Sequence, residues 1–197
     1  MSLRILDLFS GIGGFSLGLE AAGMRTVQFV ELDPFCRAVL AKYWPQVPCH
    51  DDVRTYSGEP GSAELVCGGF PCQPVSSAGR RRGEDDDRWL WPEMRRVIGE
   101  VGPAWIVAEN VPGLRTLGAD RVLADLEELG YASCWPVVVG AVHAGAPHRR
   151  QRVWIVAYSA DSLRRTLGRG MGDGERARET ETCERAIREG DGRTRND

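Results

Sequence analysis

The stretch Arg4-Ile5-Leu6-Asp7-Leu8-Phe9-Ser10-Gly11-Ile12-Gly13-Gly14-Phe15-Ser16-Leu17-Gly18-Leu19 decides the fold. Its first part is a short apolar run that predicts a strand over 4–9. Its second part places Phe15, Leu19 and Ala22 on one helical face ahead of Gly23, which predicts a helix over 13–22. A strand that passes through a glycine-rich turn into a helix is the opening unit of a parallel α/β sheet. Ligands of such sheets bind outside the carboxyl ends of the strands, where glycines permit close approach and a helix N-terminus offers unpaired N–H groups. The turn is not a dinucleotide fingerprint, because Ser16 stands where that pattern needs its third glycine.

Outward from this unit, strand and helix continue to alternate. Residues 26–31 read as a second strand, and Pro34 opens a helix that runs to about Trp44 before Pro45. Strands are predicted at 64–67 and 105–109, helices at 92–100 and 120–129, and two closing strands at 133–142 and 152–158. The fold class is therefore α/β, with a sheet and interleaved helices. After Tyr158 the aromatic residues stop and charges of both signs dominate. Residues 1–158 read as the folded domain. Residues 159–197 read as a charged tail that cannot bury enough apolar surface to fold alone, with a short helix near 179–188 compatible with its pattern.

Composition narrows the setting. The chain has 197 residues and is 42% hydrophobic, enough for one domain with a proper core. Its net charge is −3, so nucleic-acid binding requires a local basic face. The six cysteines form no Cys-x-x-Cys pair, so no metal is expected. No apolar run is long enough to span a bilayer and no signal-peptide core is seen, which points to a cytoplasmic, reducing environment and no membrane partner.

Chemistry concentrates at the predicted strand ends. Glu31-Leu32-Asp33 ends the second strand and Asp51-Asp52-Val53 the third. Each acid alone reads better as a solvated turn residue or helix cap. Together with the glycine turn they suit a cofactor with a ribose, an exocyclic amine and a positive centre, as in S-adenosylmethionine. The run Gly68-Gly69-Phe70-Pro71-Cys72-Gln73-Pro74 follows another strand. A lone cysteine is usually a small buried apolar residue. Here Pro71 stiffens the entry, and the glycine pair lets the backbone approach a ligand closely, a placement that suits attack; on the cysteine alone the buried reading is favoured, and the rest of the chain overturns it. Ser76 to Gly83, with Arg80, Arg81 and Arg82, comes next and is followed by Glu84-Asp85-Asp86-Asp87. It reads either as a solvated loop or as a phosphate contact.

Taken together, these motifs resemble the DNA (cytosine-5) methyltransferase family over roughly residues 3–158. Asp7 to Phe15 is similar to its cofactor loop, Gly69 to Gln73 to its nucleophile loop, Glu109-Asn110-Val111 to its second catalytic motif, and Arg150 with Gln151-Arg152-Val153 to its arginine motif. The resemblance implies a Rossmann-like S-adenosylmethionine-dependent methyltransferase fold, mostly parallel, with helices on both faces and an antiparallel last strand. It implies Cys72 as nucleophile toward cytosine C6, Glu109 as the acid at N3, and Arg152 and Arg150 as guides for the base and for Glu109. It implies Phe9, Ser10, Gly11, Gly13, Glu31, Leu32, Asp52, Val53, Pro71 and Leu90 as cofactor contacts, and Ser76, Arg80, Arg81 and Arg82 as contacts to double-stranded DNA whose target base is flipped out. The family's target-reading domain and terminal motif have no counterpart in this sequence. The expectation is a truncated or split enzyme, with a second polypeptide supplying the recognition region. Three other readings stay open: a catalytically silent remnant that binds cofactor or DNA, an RNA cytosine methyltransferase, and a nicotinamide-dependent dehydrogenase, which leaves Cys72, Glu109 and Arg152 unexplained.

Overall fold

The computed structural model describes residues 2–71 and 89–159. Cys72, Ser76, Arg80, Arg81, Arg82 and the tail after Ser159, including the helix expected at 179–188, lie outside the described residues.

The predicted alternation forms one sheet. Its strands are β1 (Arg4–Leu8), β2 (Arg25–Val30), β3 (Cys49–His50), β4 (Leu65–Gly68), β5 (Trp105–Asn110), β6 (Tyr131–Ser133), β7 (Val137–Gly140) and β8 (Gln151–Ser159). The spatial order is β3-β2-β1-β4-β5-β8-β6, with β7 also paired to β8. The pairs from β3 through β5 are parallel. β8 runs antiparallel to β5, as expected of the last strand, and to β6 and β7.

The helices are α1 (Gly14–Ala21), α2 (Pro34–Tyr43), α3 (Trp91–Val101), α4 (Leu114–Leu117) and α5 (Ala119–Glu128). Strand side chains alternate between faces. Leu6, Leu8, Val66, Ile106 and Ile155 pack with Met94, Val97 and Ile98 of α3 and Val122 and Leu126 of α5. Ile5, Leu65 and Cys67 turn the other way, toward Phe15 and Leu19 of α1. Both faces therefore carry helices, as a largely parallel sheet requires.

One expectation is corrected. Residues 133–142 are not one strand. Pro136 has no N–H to give to a ladder, so the chain breaks after β6, exposes Trp135 at 78%, and re-pairs as β7 before a 3-10 turn at Ala141–Ala144. In that turn the Gly140 N–H donates to His143 Nδ1 at 3.1 Å, which gives this histidine a local structural role.

The chain leaves β1 toward β2 on one side and reaches β4 on the other. This reversal opens a crevice at the carboxyl ends of β1 and β4, the place where open α/β sheets bind ligands.

Candidate active site

The β1–α1 turn builds the first half of the site. Phe9 leaves the strand with φ +54°, and Gly11 and Gly13 follow at +54° and +89°. At Gly13 no other residue fits, because a Cβ would lie 2.7 Å from the Trp44 ring. Trp44 is held in turn by its indole N–H donating to Glu20 Oε2 at 2.9 Å. Ser10 is buried, and its hydroxyl donates to the Asp7 carbonyl at 2.6 Å, so this residue shapes the turn from within. Asp7 is fully buried and accepts from the Ser16 hydroxyl at 2.7 Å, which locks the end of β1 to α1. Burial pushes the Asp7 carboxyl up to about 7, against the lowering effect of Ser16. Its Oδ1 has no hydrogen-bond partner of ordinary geometry. The thiol of Cys67, the residue in register on β4, faces this carboxyl as a weak donor.

Glu31, just past β2, reaches across to this turn. Its Oε2 accepts from the Gly11 N–H at 2.6 Å and its Oε1 from the Asp33 N–H at 2.8 Å. Beside it Ile12 and Leu32 are 60% and 61% exposed, two apolar side chains that the described residues leave uncovered. Asp52 follows β3 and accepts from the Arg54 N–H at 2.9 Å. The Val53 side chain is buried in the core, so only its backbone is available to a ligand. An acid at the end of β2, open space around the Gly11 Cα and exposed apolar side chains fit the ribose and base of an adenosyl group.

The second half lies at the carboxyl ends of β4 and β5. Arg152 on β8 stands two residues from Trp154, the register partner of Glu109, and thus on the same face. Its Nε forms an ion pair with Glu109 Oε1 at 2.7 Å, with side chains 25% and 21% exposed. Burial pushes the Glu109 carboxyl up, and Arg152 and Arg150 pull it back down. Arg150 is exposed, on a backbone turn with φ +23° that leads into β8. Asn110 is buried. Its Nδ2 donates to the Phe70 carbonyl at 2.9 Å, and its Oδ1 accepts from the Val111 N–H at 2.8 Å. This side chain ties β5 to the loop that enters Cys72.

The glycine pair also makes room inside the protein. A Cβ on Gly68 would lie 2.7 Å from the Leu8 carbonyl oxygen, and one on Gly69 would lie 2.8 Å from Glu109 Oε2. Both glycines admit the protein's own groups. Pro71 and Leu90 frame the segment between them, with the Leu90 N–H donating to the Pro71 carbonyl at 3.3 Å. Phe70 packs edge-on against Trp89, at 5.6 Å between centroids, and tilted against Trp91 at 5.3 Å. Leu90 is half-buried against the core. Trp91 is a core residue whose indole donates to Asp125 at 2.7 Å.

Of the residues read from the sequence as cofactor contacts, Gly11 and Glu31 meet at the β1–α1 turn that Phe9, Ser10 and Gly13 shape, and Pro71 is bonded to Leu90; of those read as catalytic, Glu109 and Arg152 are paired. The sequence reading missed Asp7, Ser16 and Trp44, which hold that turn from behind. No local spacing signals them, since each acts on a residue distant in sequence. Among the described residues no group of three or more His, Cys, Asp or Glu side chains is arranged to hold a metal ion, and no helix is long and apolar enough to cross a membrane.

Residues 3–186 match the model of the C-5 cytosine-specific DNA methylase family. The chain is similar to type II methyltransferase M2.BsuMI of Bacillus subtilis, with 38% identity over 79% of this chain and 42% of that protein. It is also similar to type II methyltransferase M.HhaI of Haemophilus parahaemolyticus, with 30% identity over 81% of this chain and 50% of that protein. The chain thus spans about half the length of such relatives, or less. Among solved structures, a prophage-encoded protein of E. coli superimposes with a TM-score of 0.68 and 28% identity over 81% of this chain and 47% of that one. Dnmt2 methyltransferase of S. pombe gives 0.66 over 81% and 50%, at 22% identity, a likeness of fold.

Proposed function

The chain belongs to the C-5 cytosine-specific DNA methylase family, and from that premise we propose that it methylates C5 of a flipped-out cytosine in DNA, with S-adenosylmethionine as donor. The observation that carries this reading is the arrangement around Gly69: a partly desolvated Glu109 paired with Arg152, pressed against the loop that leads through Pro71 to Cys72. Such an arrangement supports the reading because it sets an acid and a cation, on β5 and β8, against the segment that runs on in sequence to Cys72.

In this reading the turn at Phe9 to Gly13, Glu31, Leu32, Asp52, Val53, Pro71 and Leu90 hold the donor. When bound, S-adenosylmethionine supplies an electrophilic methyl group on a sulfonium. The Cys72 thiolate forms a bond to cytosine C6, and the electrons of the C5–C6 double bond shift into the ring as N3 takes a proton from Glu109. C5 thereby becomes nucleophilic enough to accept a methyl group. A base, with water the simplest candidate, then removes the C5 proton. The C6–S bond breaks, Cys72 leaves as thiolate, and the N3 proton returns to Glu109. Burial, which pushes the Glu109 carboxyl up, favours its holding a proton to give. Arg152 orients that carboxyl, and Arg150 adds positive charge next to it. Ser76, Arg80, Arg81 and Arg82 follow Cys72 in sequence and are assigned to the DNA backbone.

The test is transfer of label from methyl-labelled S-adenosylmethionine to unmethylated duplex DNA, beside a Cys72→Ser variant. Label recovered as 5-methylcytosine with the parent chain and absent with the variant is the expected result. Transfer that persists in Cys72→Ser would sink the covalent reading.

A further inference from the structure

Resting on the donor-site reading above, we infer that Arg96 is a positioning residue for the adenine end of that site: from α3 it fixes the Val53–Arg54 peptide, whose N–H donates to the Asp52 carboxylate. The connection from β3 to β4 contains no helix or strand, so no ladder or helix places Asp52. Its turn is internally bonded, with the Asp52 carbonyl accepting from the Thr55 and Tyr56 N–H groups at 3.1 and 3.0 Å. Such bonds shape the turn but do not say where it sits on the protein. The turn is fastened from outside by the Val53 side chain buried in the core and, directionally, by Arg96. Arg96 Nη2 donates to the Val53 carbonyl at 2.7 Å, Nη1 to Glu100 Oε1 at 2.6 Å and Nε to Glu93 Oε2 at 2.9 Å.

All three guanidinium nitrogens are engaged, two of them by carboxylates of the same helix. The side chain is thereby held in one orientation, with its remaining arm on the Val53 carbonyl. Glu100 extends the clamp, since its Oε2 accepts from the Gly58 N–H at 2.7 Å. The loop lies directly on α3, where a Cβ on Gly58 would come within 2.5 Å of Val101 Cγ2. A planar fork is what three acceptors in different directions require, and a lysine ammonium on a flexible stem does not reproduce it. The ribose end is built otherwise. Glu31 is held by the N–H groups of Gly11 and Asp33, and none of these residues touches the Arg96 network through a hydrogen bond or ion pair given above.

This separation makes the inference selective. Equilibrium binding of S-adenosylmethionine to the full chain is measured by calorimetry for the parent, Arg96→Met, Asp52→Asn, Glu31→Gln and the doubles Arg96→Met/Asp52→Asn and Arg96→Met/Glu31→Gln. Each single change is expected to raise Kd roughly tenfold. If Arg96 acts through Asp52, the double with Asp52→Asn stays at roughly tenfold, whereas the double with Glu31→Gln reaches roughly a hundredfold. A hundredfold loss in the Asp52 double, or an unchanged Kd in Arg96→Met, overturns the inference and leaves the donor site standing. An unchanged Kd in Asp52→Asn instead removes the donor-site reading of Asp52, and the inference with it. Circular dichroism reports whether Arg96→Met folds. If it does not, Arg96→Lys keeps the charge without the fork, and the same pair of doubles decides.

Discussion

Gly69→Ala tests the geometry of the active site with a single methyl group. Gly69 does not occupy the left-handed region, so alanine meets no backbone penalty and the effect is purely steric. The added Cβ would stand 2.8 Å from Glu109 Oε2, where ordinary contact begins at 3.4 Å, so the carboxylate must retreat by about 0.6 Å. The strand cannot slide to accommodate it, because β5 is held in register by β4 on one side and β8 on the other. The side chain must rotate instead, at the cost of the 2.7 Å contact between Oε1 and Arg152 Nε. Overpacking of this kind costs about 1–3 kcal/mol of stability. A displacement approaching 1 Å in a catalytic group lowers the rate on the order of a hundredfold. The assay is the initial rate of label transfer to duplex DNA at saturating donor, with a urea transition measured on the same preparation. A folded Gly69→Ala chain whose kcat lies within about threefold of the parent, which is about 0.6 kcal/mol of activation free energy, would refute the idea that Glu109 acts from this position.

Asn110→Ala removes the donor to the Phe70 carbonyl and the acceptor for the Val111 N–H, both at a buried site. The urea midpoint should fall by the equivalent of about 2–4 kcal/mol. Asp7 makes stability depend on pH. Its folded carboxyl holds a proton up to about 7, while the unfolded chain releases it near 3.8. Unfolding therefore releases a proton between those values, and stability falls as pH rises through the window, by up to about 1.4 kcal/mol per pH unit. In denaturation curves taken across that window, Asp7→Asn should lose this part of the decline. Arg152→Met removes a cation that pulls the Glu109 carboxyl down. The limb of the pH–rate profile governed by Glu109 should therefore move to higher pH, and a limb that moved to lower pH would contradict the pairing.

Much of the fold was legible because its signals are local. The apolar run before Ser10, the helical face of Phe15 and Leu19, the proline opening α2 and the glycines after α1 and α5 each act within a few residues. They place the elements to within one or two positions of where they form. The one misread segment, 133–142, contains its own warning in Pro136, whose missing N–H breaks the ladder there. The acids after β2 and β3 were legible for the same reason, since an element's end is a local event, whereas the Glu109-Asn110-Val111 run was read through the family resemblance.

By itself, then, the sequence determined the order of strands and helices and the residue types at their ends. The tertiary structure decided which ends meet. Side-chain alternation says which face of a strand is apolar, but not which strand lies beside it. Only the placement of β8 next to β5 brings Arg152 against Glu109. Only the pairing of β4 with β5 sets Gly69 under that carboxylate and lets Asn110 reach the Phe70 carbonyl. The burial that raises the carboxyls of Asp7 and Glu109 likewise exists only once distant segments pack around them. These contacts join residues far apart in the chain, and they are held by packing and ladder register, which no local run of residues encodes.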